Sequence, residues 1–173
     1  MDPSGPFVIQ LTTLEEGESR REFEGTQAEL GLDPQTTRIQ GPVTLRATLY
    51  RRGLRVEIQG RLLGHLEMSC DRCLATVAAR IDVPIRVFAE RRETRDRRPA
   101  QEVREDDLGI VYHDGRFVDL TEEVRQEILV HVPWHALCRE GCLGLCPRCG
   151  ADLNTTPCAC VSRGPGAPER EPT

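Results

Sequence analysis

Residues 70–87, CDRCLATVAARIDVPIRV, decide the fold, because they join a Cys-x2-Cys pair to the clearest strand pattern in the chain. Small or apolar side chains occupy every second position from Ala75 to Val87, the period of two that is typical of a half-buried strand. The pair Cys70 and Cys73 comes directly before this strand. We therefore predict that both thiols lie at the tip where one long strand turns into the next.

The segments upstream of this tip have the same period. Apolar positions alternate with polar ones from Val43 to Tyr50 and again from Leu54 to Met68. Arg51-Arg52-Gly53 between the two segments is typical of a turn. Together with the strand after Cys73, these segments predict an antiparallel sheet.

Downstream of the sheet the pattern changes twice. Residues 90–107 are dominated by charge and predict a solvated loop. Asp114-Gly115 lies between two short apolar runs and is typical of a two-residue hairpin. Helical spacing near residues 120–132, ending at Pro133, predicts one amphipathic helix.

These elements predict an α+β fold, mainly an antiparallel β-sheet with one packed helix and a C-terminal cysteine-rich zinc module. We place the β-rich core in residues 1–136 and the zinc-binding knuckle module in residues 137–160. Residues 161–173 are rich in Pro, Gly and charge, and predict a disordered tail.

Eight cysteines are the strongest chemical signal in the sequence. They are Cys70, Cys73, Cys138, Cys142, Cys146, Cys149, Cys158 and Cys160. In the knuckle Cys146-x2-Cys149-Gly150, two thiolates can occupy adjacent corners of a tetrahedral zinc ion, and the glycine permits a left-handed backbone. We predict one or two structural zinc ions, with all eight cysteines as ligands when two are bound.

Two pairings of these cysteines are open from the sequence. The first unites Cys146, Cys149, Cys158 and Cys160 in one site and Cys70, Cys73, Cys138 and Cys142 in another. The rival pairing places a single zinc on Cys70, Cys73, Cys146 and Cys149. A redox role for the first Cys-x2-Cys pair is disfavoured, because such pairs open a helix, whereas a long strand follows here.

Composition excludes several classes of function. No stretch approaches the roughly 18 apolar residues that span a membrane, and no secretion signal is visible, so we expect a cytoplasmic protein without a membrane partner. In a reducing cytosol, clustered cysteines indicate metal rather than disulfides. No nucleophile–base pattern or phosphate-binding loop is present, which predicts neither an enzyme nor a small-molecule substrate.

The cationic side chains are all arginine, because the sequence contains no lysine. The net charge of −5 disfavours sequence-blind binding to nucleic acid, so any RNA contact must be local. On the predicted strands, five arginines occupy positions opposite the apolar face: Arg46, Arg55, Arg61, Arg80 and Arg86. They could form a cationic stripe for RNA or partner contact, or an ordinary solvated surface paired with Glu57 and its neighbours.

The order of these features resembles the YceD family over roughly residues 7–160. A Cys-x2-Cys at a strand tip precedes the helix start Asp119-Leu-Thr-Glu-Glu123, and Cys142-Leu-Gly-Leu-Cys-Pro-Arg-Cys-Gly-Ala-Asp-Leu-Asn154 precedes a final Cys-x-Cys. The resemblance implies a role in the accumulation of large-subunit ribosomal RNA.

Two hypotheses of function follow. The first is a non-enzymatic ribosome-biogenesis factor that contacts large-subunit ribosomal RNA or a basic large-subunit ribosomal protein, the latter favoured by the acidic net charge. The alternative is a zinc-ribbon interaction module in transcription or RNA polymerase regulation.

Overall fold

The computed structural model describes residues 5–35, 37–91, 109–156 and 158–160. In chain order the elements are β1 (Val8–Gln10), a 3-10 turn (Leu11–Thr13), β2 (Gly17–Gly25), β3 (Arg38–Ile39), β4 (Val43–Arg52), β5 (Arg55–Ser69), β6 (Thr76–Arg91), β7 (Ile110–His113), β8 (Phe117–Asp119) and α1 (Thr121–His131). The described chain is therefore mostly β-sheet with one helix, and the predicted α+β class is confirmed. The predicted tail at 161–173 and nearly all of the predicted charged loop at 90–107 lie outside the described residues.

The three long strands form where the period of two predicts them. β4, β5 and β6 are neighbours in a sheet of order β2-β4-β5-β6-β7, and β3 also pairs with β5. β4 is antiparallel to both β2 and β5. Every second side chain is buried along these strands, as in Val43, Leu45, Ala47 and Leu49 of β4. One face of the sheet therefore supplies the apolar core, and the other carries mostly polar and charged side chains.

The predicted hairpin at Asp114-Gly115 is wrong in its pairing. β7 pairs with β6 in parallel, and β8 pairs with β1 in a separate two-stranded antiparallel sheet. The Asp114 carboxylate does accept the N–H of Arg116 at 2.8 Å, so the turn forms. Turn residues fix only the reversal of the chain, whereas each strand pairs with whichever backbone edge lies beside it.

Helix α1 confirms the prediction for residues 120–132. The side chain of Asp119 accepts the N–H of Thr121 at 2.9 Å just before the first turn, and the helix ends before Pro133. Val124 and Ile128 are fully buried, so the helix presents one apolar side to the core. In the parts of the chain that are described, no helix has the length and apolar character needed to span a bilayer.

Glu123, in the first turn of this helix, makes the stability of the fold depend on pH. Its Oε2 atom is buried and has no hydrogen-bond partner among the described residues. Burial raises the pKa of the Glu123 carboxyl. The folded state therefore binds this proton more tightly than the unfolded chain, and stability falls as pH rises from the ordinary carboxyl pKa through the raised one.

We expect Glu123→Gln to raise the melting temperature at pH 7 by a few degrees, because the neutral amide avoids the cost of burying a carboxylate. The gain should be smaller at pH 4, where the carboxyl group of the wild type is itself mostly neutral. Thermal melts followed by circular dichroism at both pH values measure the difference. Glu122→Gln is the control, since the Glu122 carboxylate accepts hydrogen bonds from Arg125 and Gln126 in the same helix. A gain at Glu123 that is equal at both pH values contradicts the prediction.

The chain divides into two compact units. The sheet unit comprises Met1–Leu66 and Ala79–Val132, and the knuckle unit comprises Glu67–Ala78 and Pro133–Thr173. This division differs from the predicted boundary between residues 136 and 137. The strand tip belongs with the C-terminal segment, because Cys70 and Cys73 gather with Cys138 and Cys142.

Candidate metal centres

The knuckle unit contains two groups of four cysteines. The first comprises Cys70, Cys73, Cys138 and Cys142, and the second comprises Cys146, Cys149, Cys158 and Cys160. Within each group all sulfur atoms lie within 4.8 Å of one another, and none of the eight forms a disulfide. This grouping matches the first of the two pairings that the sequence left open. The four members of the rival single-zinc pairing are divided between the two groups.

The sulfur positions fit a tetrahedral zinc ion. Four sulfurs at about 2.3 Å from zinc lie about 3.8 Å from one another. The Sγ atoms of Cys70 and Cys142 are 3.8 Å apart, and those of Cys73 and Cys138 are 3.6 Å apart. With four thiolates around the ion, no coordination position remains for a substrate, which is the arrangement of a structural site.

The two Cys-x2-Cys segments have the same backbone hydrogen bonds. The N–H of Cys70 donates to the carbonyl of Ala75 at 2.8 Å, and the N–H of Leu74 donates to the carbonyl of Cys70 at 2.9 Å. The second segment repeats both bonds, from Cys146 to Ala151 at 2.8 Å and from Gly150 to Cys146 at 2.9 Å. Each tight turn therefore aims two sulfurs at one point.

The residue after the second cysteine distinguishes the two turns. Gly150 has φ 72° and Leu74 has φ 61°, so both lie in the left-handed region. Glycine adopts this conformation readily, whereas leucine is disfavoured there by about 1 kcal/mol. Leu74 is the one non-glycine residue with positive φ among the described residues.

The first thiol of each turn has a pKa below that of an ordinary cysteine. Backbone N–H groups of Cys138 and Arg72 lower the pKa of Cys70 to about 6. Those of Arg148 and Cys149 lower the pKa of Cys146 to about 6. The neighbouring sulfur of Cys73 raises the pKa of Cys138 to about 12. Without a metal, one thiolate forms easily in each group and opposes the ionisation of its neighbours, and a divalent cation would relieve that repulsion.

Asn154 forms hydrogen bonds with residues around Cys142 of the first group. Its Oδ1 accepts the N–H of Leu143 at 2.8 Å and an N–H of Arg139 at 2.8 Å. Its Nδ2 lies 3.5 Å from the Sγ of Cys142 and donates to Asp152 at 2.6 Å. The amide therefore binds the backbone directly after Cys142 and the guanidinium of Arg139 before it, and donates a hydrogen bond to the sulfur.

We expect Asn154→Ala to weaken zinc binding at the first group by about 10-fold to 100-fold, because residues that orient metal ligands have effects of this size. Competition with a chromogenic chelator measures the zinc affinities of the two sites, and only one of them is expected to change. Thr155→Ala is the control, because the Thr155 hydroxyl donates only to the backbone carbonyl of Asp152. Equal affinities for the Asn154 variant and the wild type contradict the assignment.

Arg72 and Asp71 connect the strand tip to the C-terminal segment. An N–H of Arg72 donates to the carbonyl of Cys142 at 2.9 Å, and the Arg72 carbonyl accepts the N–H of Leu145 at 2.9 Å. The carboxylate of Asp71 accepts the N–H of Ala136 at 3.1 Å. Residues far apart in sequence are thus held beside the cysteines by hydrogen bonds as well as by sulfur contacts.

Sequence reasoning predicted the eight cysteines but no role for Asp71, Arg72 or Asn154. Asn154 belongs to the stretch that carries the family resemblance, which is the signal that could have suggested a role. Nothing in the sequence indicates that Asp71 and Arg72 bond to residues 64 or more positions away.

The strand arginines belong to the sheet unit, and the cysteines belong to the knuckle unit. Four of them are paired with carboxylates: Arg46 with Glu22 at 3.3 Å, Arg55 with Glu90 at 3.2 Å, Arg61 with Asp82 at 2.7 Å and Arg86 with Glu57 at 2.6 Å. Arg80 is exposed. Gln59 and then Arg86 lower the pKa of Glu57, in keeping with its charged form. Each pair reduces the positive charge offered to phosphate, and a role of these arginines in RNA contact stays a prediction.

Comparison with known proteins gives the chain a family. The model of the family described as large ribosomal RNA subunit accumulation protein YceD matches residues 58–169. Uncharacterized proteins of Mycobacterium tuberculosis and Mycobacterium bovis are 32% identical over 89 residues, which cover 51% of this chain and 40% of each relative. No solved protein structure matches the chain.

A protein of Zea mays, described as large ribosomal RNA subunit accumulation protein YCED homolog 1, chloroplastic, is 26% identical over an alignment of 170 residues. That alignment covers 80% of this chain and 54% of the maize protein. The chain thus spans about half or less of the length of these curated relatives. The family model covers well over half of the chain, including both cysteine groups, and the chain belongs to the YceD family.

Proposed function

We propose that this chain is a non-enzymatic, cytoplasmic factor that supports the accumulation of large-subunit ribosomal RNA during ribosome biogenesis, with zinc as its structural cofactor. The observation that carries the proposal is the pair of four-cysteine groups in a chain of the YceD family. A complete sulfur shell offers stability and shape but no open position for chemistry. A binding or scaffolding role is therefore better supported than catalysis.

Zinc would serve the proposed role by joining segments that are distant in sequence. Cys70 and Cys73 would share an ion with Cys138 and Cys142, and the last four cysteines would hold the second ion. When bound, zinc supplies cross-links whose free energy of binding contributes directly to folding. Asn154 and Arg72 would orient the chain around the first ion.

The partner is better described as a basic large-subunit ribosomal protein than as bare RNA. The net charge of −5 opposes attachment to a polyanion, and four of the five strand arginines are already paired with carboxylates. The same charge attracts a cationic protein and accelerates its association. Local contact with ribosomal RNA through the fifth arginine, Arg80, is compatible with this proposal.

Depletion of the protein in living cells tests the function. We expect the large-subunit ribosomal RNA to fall and the large-subunit peak in a sucrose gradient to shrink, while the small-subunit RNA is less affected. Normal large-subunit RNA and a normal gradient would falsify the proposal. Pulse labelling separates it from the transcription alternative, because a lower rate of synthesis of all ribosomal RNA with unchanged decay indicates transcriptional control.

A further inference from the structure

The knuckle unit exposes apolar side chains beside its first cysteine group. Trp134, the one tryptophan in the chain, is 92% exposed, Leu74 is 66% exposed and Leu137 is 38% exposed. Exposed single hydrophobic residues are common on protein surfaces, but an almost fully exposed tryptophan is not. We call Leu74, Trp134 and Leu137 the knuckle patch.

The backbone around the first cysteine group keeps these three residues in one region. Leu74 follows Cys73 and Leu137 precedes Cys138, and the sulfurs of those two cysteines are 3.6 Å apart. Trp134 precedes His135, whose Nδ1 lies 3.2 Å from the carboxylate of Asp71 in the same tight turn. All three side chains are therefore attached to backbone that surrounds a single turn.

The backbone conformation of Leu74 indicates that its side chain has a functional role. The second cysteine turn has the same pair of hydrogen bonds with Gly150 at the corresponding position, so glycine suffices for the turn itself. Leu74 adopts φ 61° although a leucine is disfavoured there, and its side chain is mostly exposed. The turn uses a left-handed residue at this position but does not need a leucine, and a residue held in an unfavourable conformation is typical of a functional position.

The charge of the knuckle unit selects the kind of partner. Its described residues include four carboxylates, at Glu67, Asp71, Glu140 and Asp152, and three arginines, at 72, 139 and 148. Two of the arginines are hydrogen-bonded within the unit, Arg72 to the carbonyl of Cys142 and Arg139 to the amide of Asn154. Each divalent ion with four thiolates would add two negative charges. An anionic unit repels nucleic acid and attracts a cationic polypeptide.

We propose that the knuckle patch docks a cationic segment of a protein partner, with an apolar side chain of that segment packed on Trp134 and Leu74. The inference rests on the proposed function in one respect, since it takes the partner to be one of the basic large-subunit ribosomal proteins. The apolar contact supplies the anchor, and the surrounding negative charge selects against neutral and acidic segments.

The single tryptophan makes the test direct. The full chain, purified with its metal, is titrated with each of a panel of tryptophan-free large-subunit ribosomal proteins, and the emission of Trp134 is recorded. We expect one or a few of these proteins to shift the emission to shorter wavelength in a saturable way, because docking removes the indole from water. Poly-lysine and transcripts of large-subunit ribosomal RNA are titrated in parallel.

Leu74→Gly is the decisive variant, because it removes the side chain and also relieves the left-handed backbone. We expect its melting temperature to equal or exceed that of the wild type, and its affinity for the partner to fall by about tenfold or more. Leu54→Ser is the matched control, since Leu54 is an exposed leucine of the sheet unit. This control is expected to bind as the wild type does.

Several results would overturn the inference. These are the absence of an emission shift with every protein of the panel, an equal shift with poly-lysine or RNA, and undiminished binding by Leu74→Gly. Complementation of depleted cells separates this failure from failure of the proposed function. If the double variant Leu74→Gly, Trp134→Ser restores the level of ribosomal RNA fully, the docking inference is wrong and the proposed function stands. If depletion of the protein leaves ribosomal RNA unchanged, the proposed function is wrong, and the binding measurements still test the docking inference.

Discussion

Zinc analysis of the purified chain is expected to find two ions per chain, and Cys146→Ser is expected to leave one. The two cysteine groups have no member in common, so loss of a ligand from the second group leaves the first complete. Apparent free energies of zinc binding to four-ligand sites are about 10–16 kcal/mol, which is comparable with the whole stability of a domain. Loss of the second ion should therefore unfold the backbone around Cys158 and Cys160.

Cys70→Ser extends this test to the other group. It should also leave one ion, and the double variant with Cys146→Ser should leave none. Mass spectrometry under native conditions measures the ion count, and proteolysis of the knuckle unit reports its unfolding. Ser69→Ala is the control, because Ser69 is exposed and adjacent to Cys70. One ion in the wild type would contradict the assignment of two sites.

Gly60→Ala is expected to be the most destabilising small substitution in the sheet unit, at about 2–3 kcal/mol. Gly60 lies in β5 opposite Ala47 of β4. A Cβ atom added there would lie 2.3 Å from the carbonyl oxygen of Arg46 and 2.9 Å from the Cα of Ala47. Both are backbone atoms of a paired strand, so the clash can be relieved only by separating β4 from β5.

Gly64→Ala is a matched control in the same strand. A Cβ at Gly64 would lie 3.6 Å from side-chain atoms of Ile81 and Val43, which is ordinary van der Waals contact. We expect this variant to be within about 1 kcal/mol of the wild type. Urea unfolding followed by far-ultraviolet circular dichroism compares the two variants, and equal stabilities would show that β4 and β5 are farther apart at Gly60 than described.

The elements with long, regular patterns could be predicted from the sequence. The period of two in β4, β5 and β6 and the helical spacing of α1 each repeat over many residues, so local pattern and burial agree. Short strands could not be predicted with their partners. β7 and β8 have only four and three residues. β7 pairs with β6 and β8 pairs with β1, and neither pairs with the strand on the other side of the Asp114-Gly115 turn.

The strand arginines illustrate the same limit for charge. The sequence places Arg46, Arg61 and Arg86 on the polar face of the sheet, because residue parity decides the face. Whether a guanidinium is available depends on the cross-strand neighbour, and the register sets Glu22, Asp82 and Glu57 close to these three arginines. Register is a property of paired strands and is not contained in either strand alone.

By itself the sequence determined the positions of β4, β5, β6 and α1, the eight thiols and the tight turns that hold Cys70 with Cys73 and Cys146 with Cys149, because these follow from local periodicity and spacing. Only the tertiary structure decided that Cys138 and Cys142 complete the first group, that Asn154 and Arg72 support it, and that Leu74 adopts the same left-handed backbone as Gly150. These features depend on a backbone angle or on contacts between separate segments, which are 12 positions apart for Asn154 and Cys142 and 65 or more for the other contacts. Neither is set by local sequence preference.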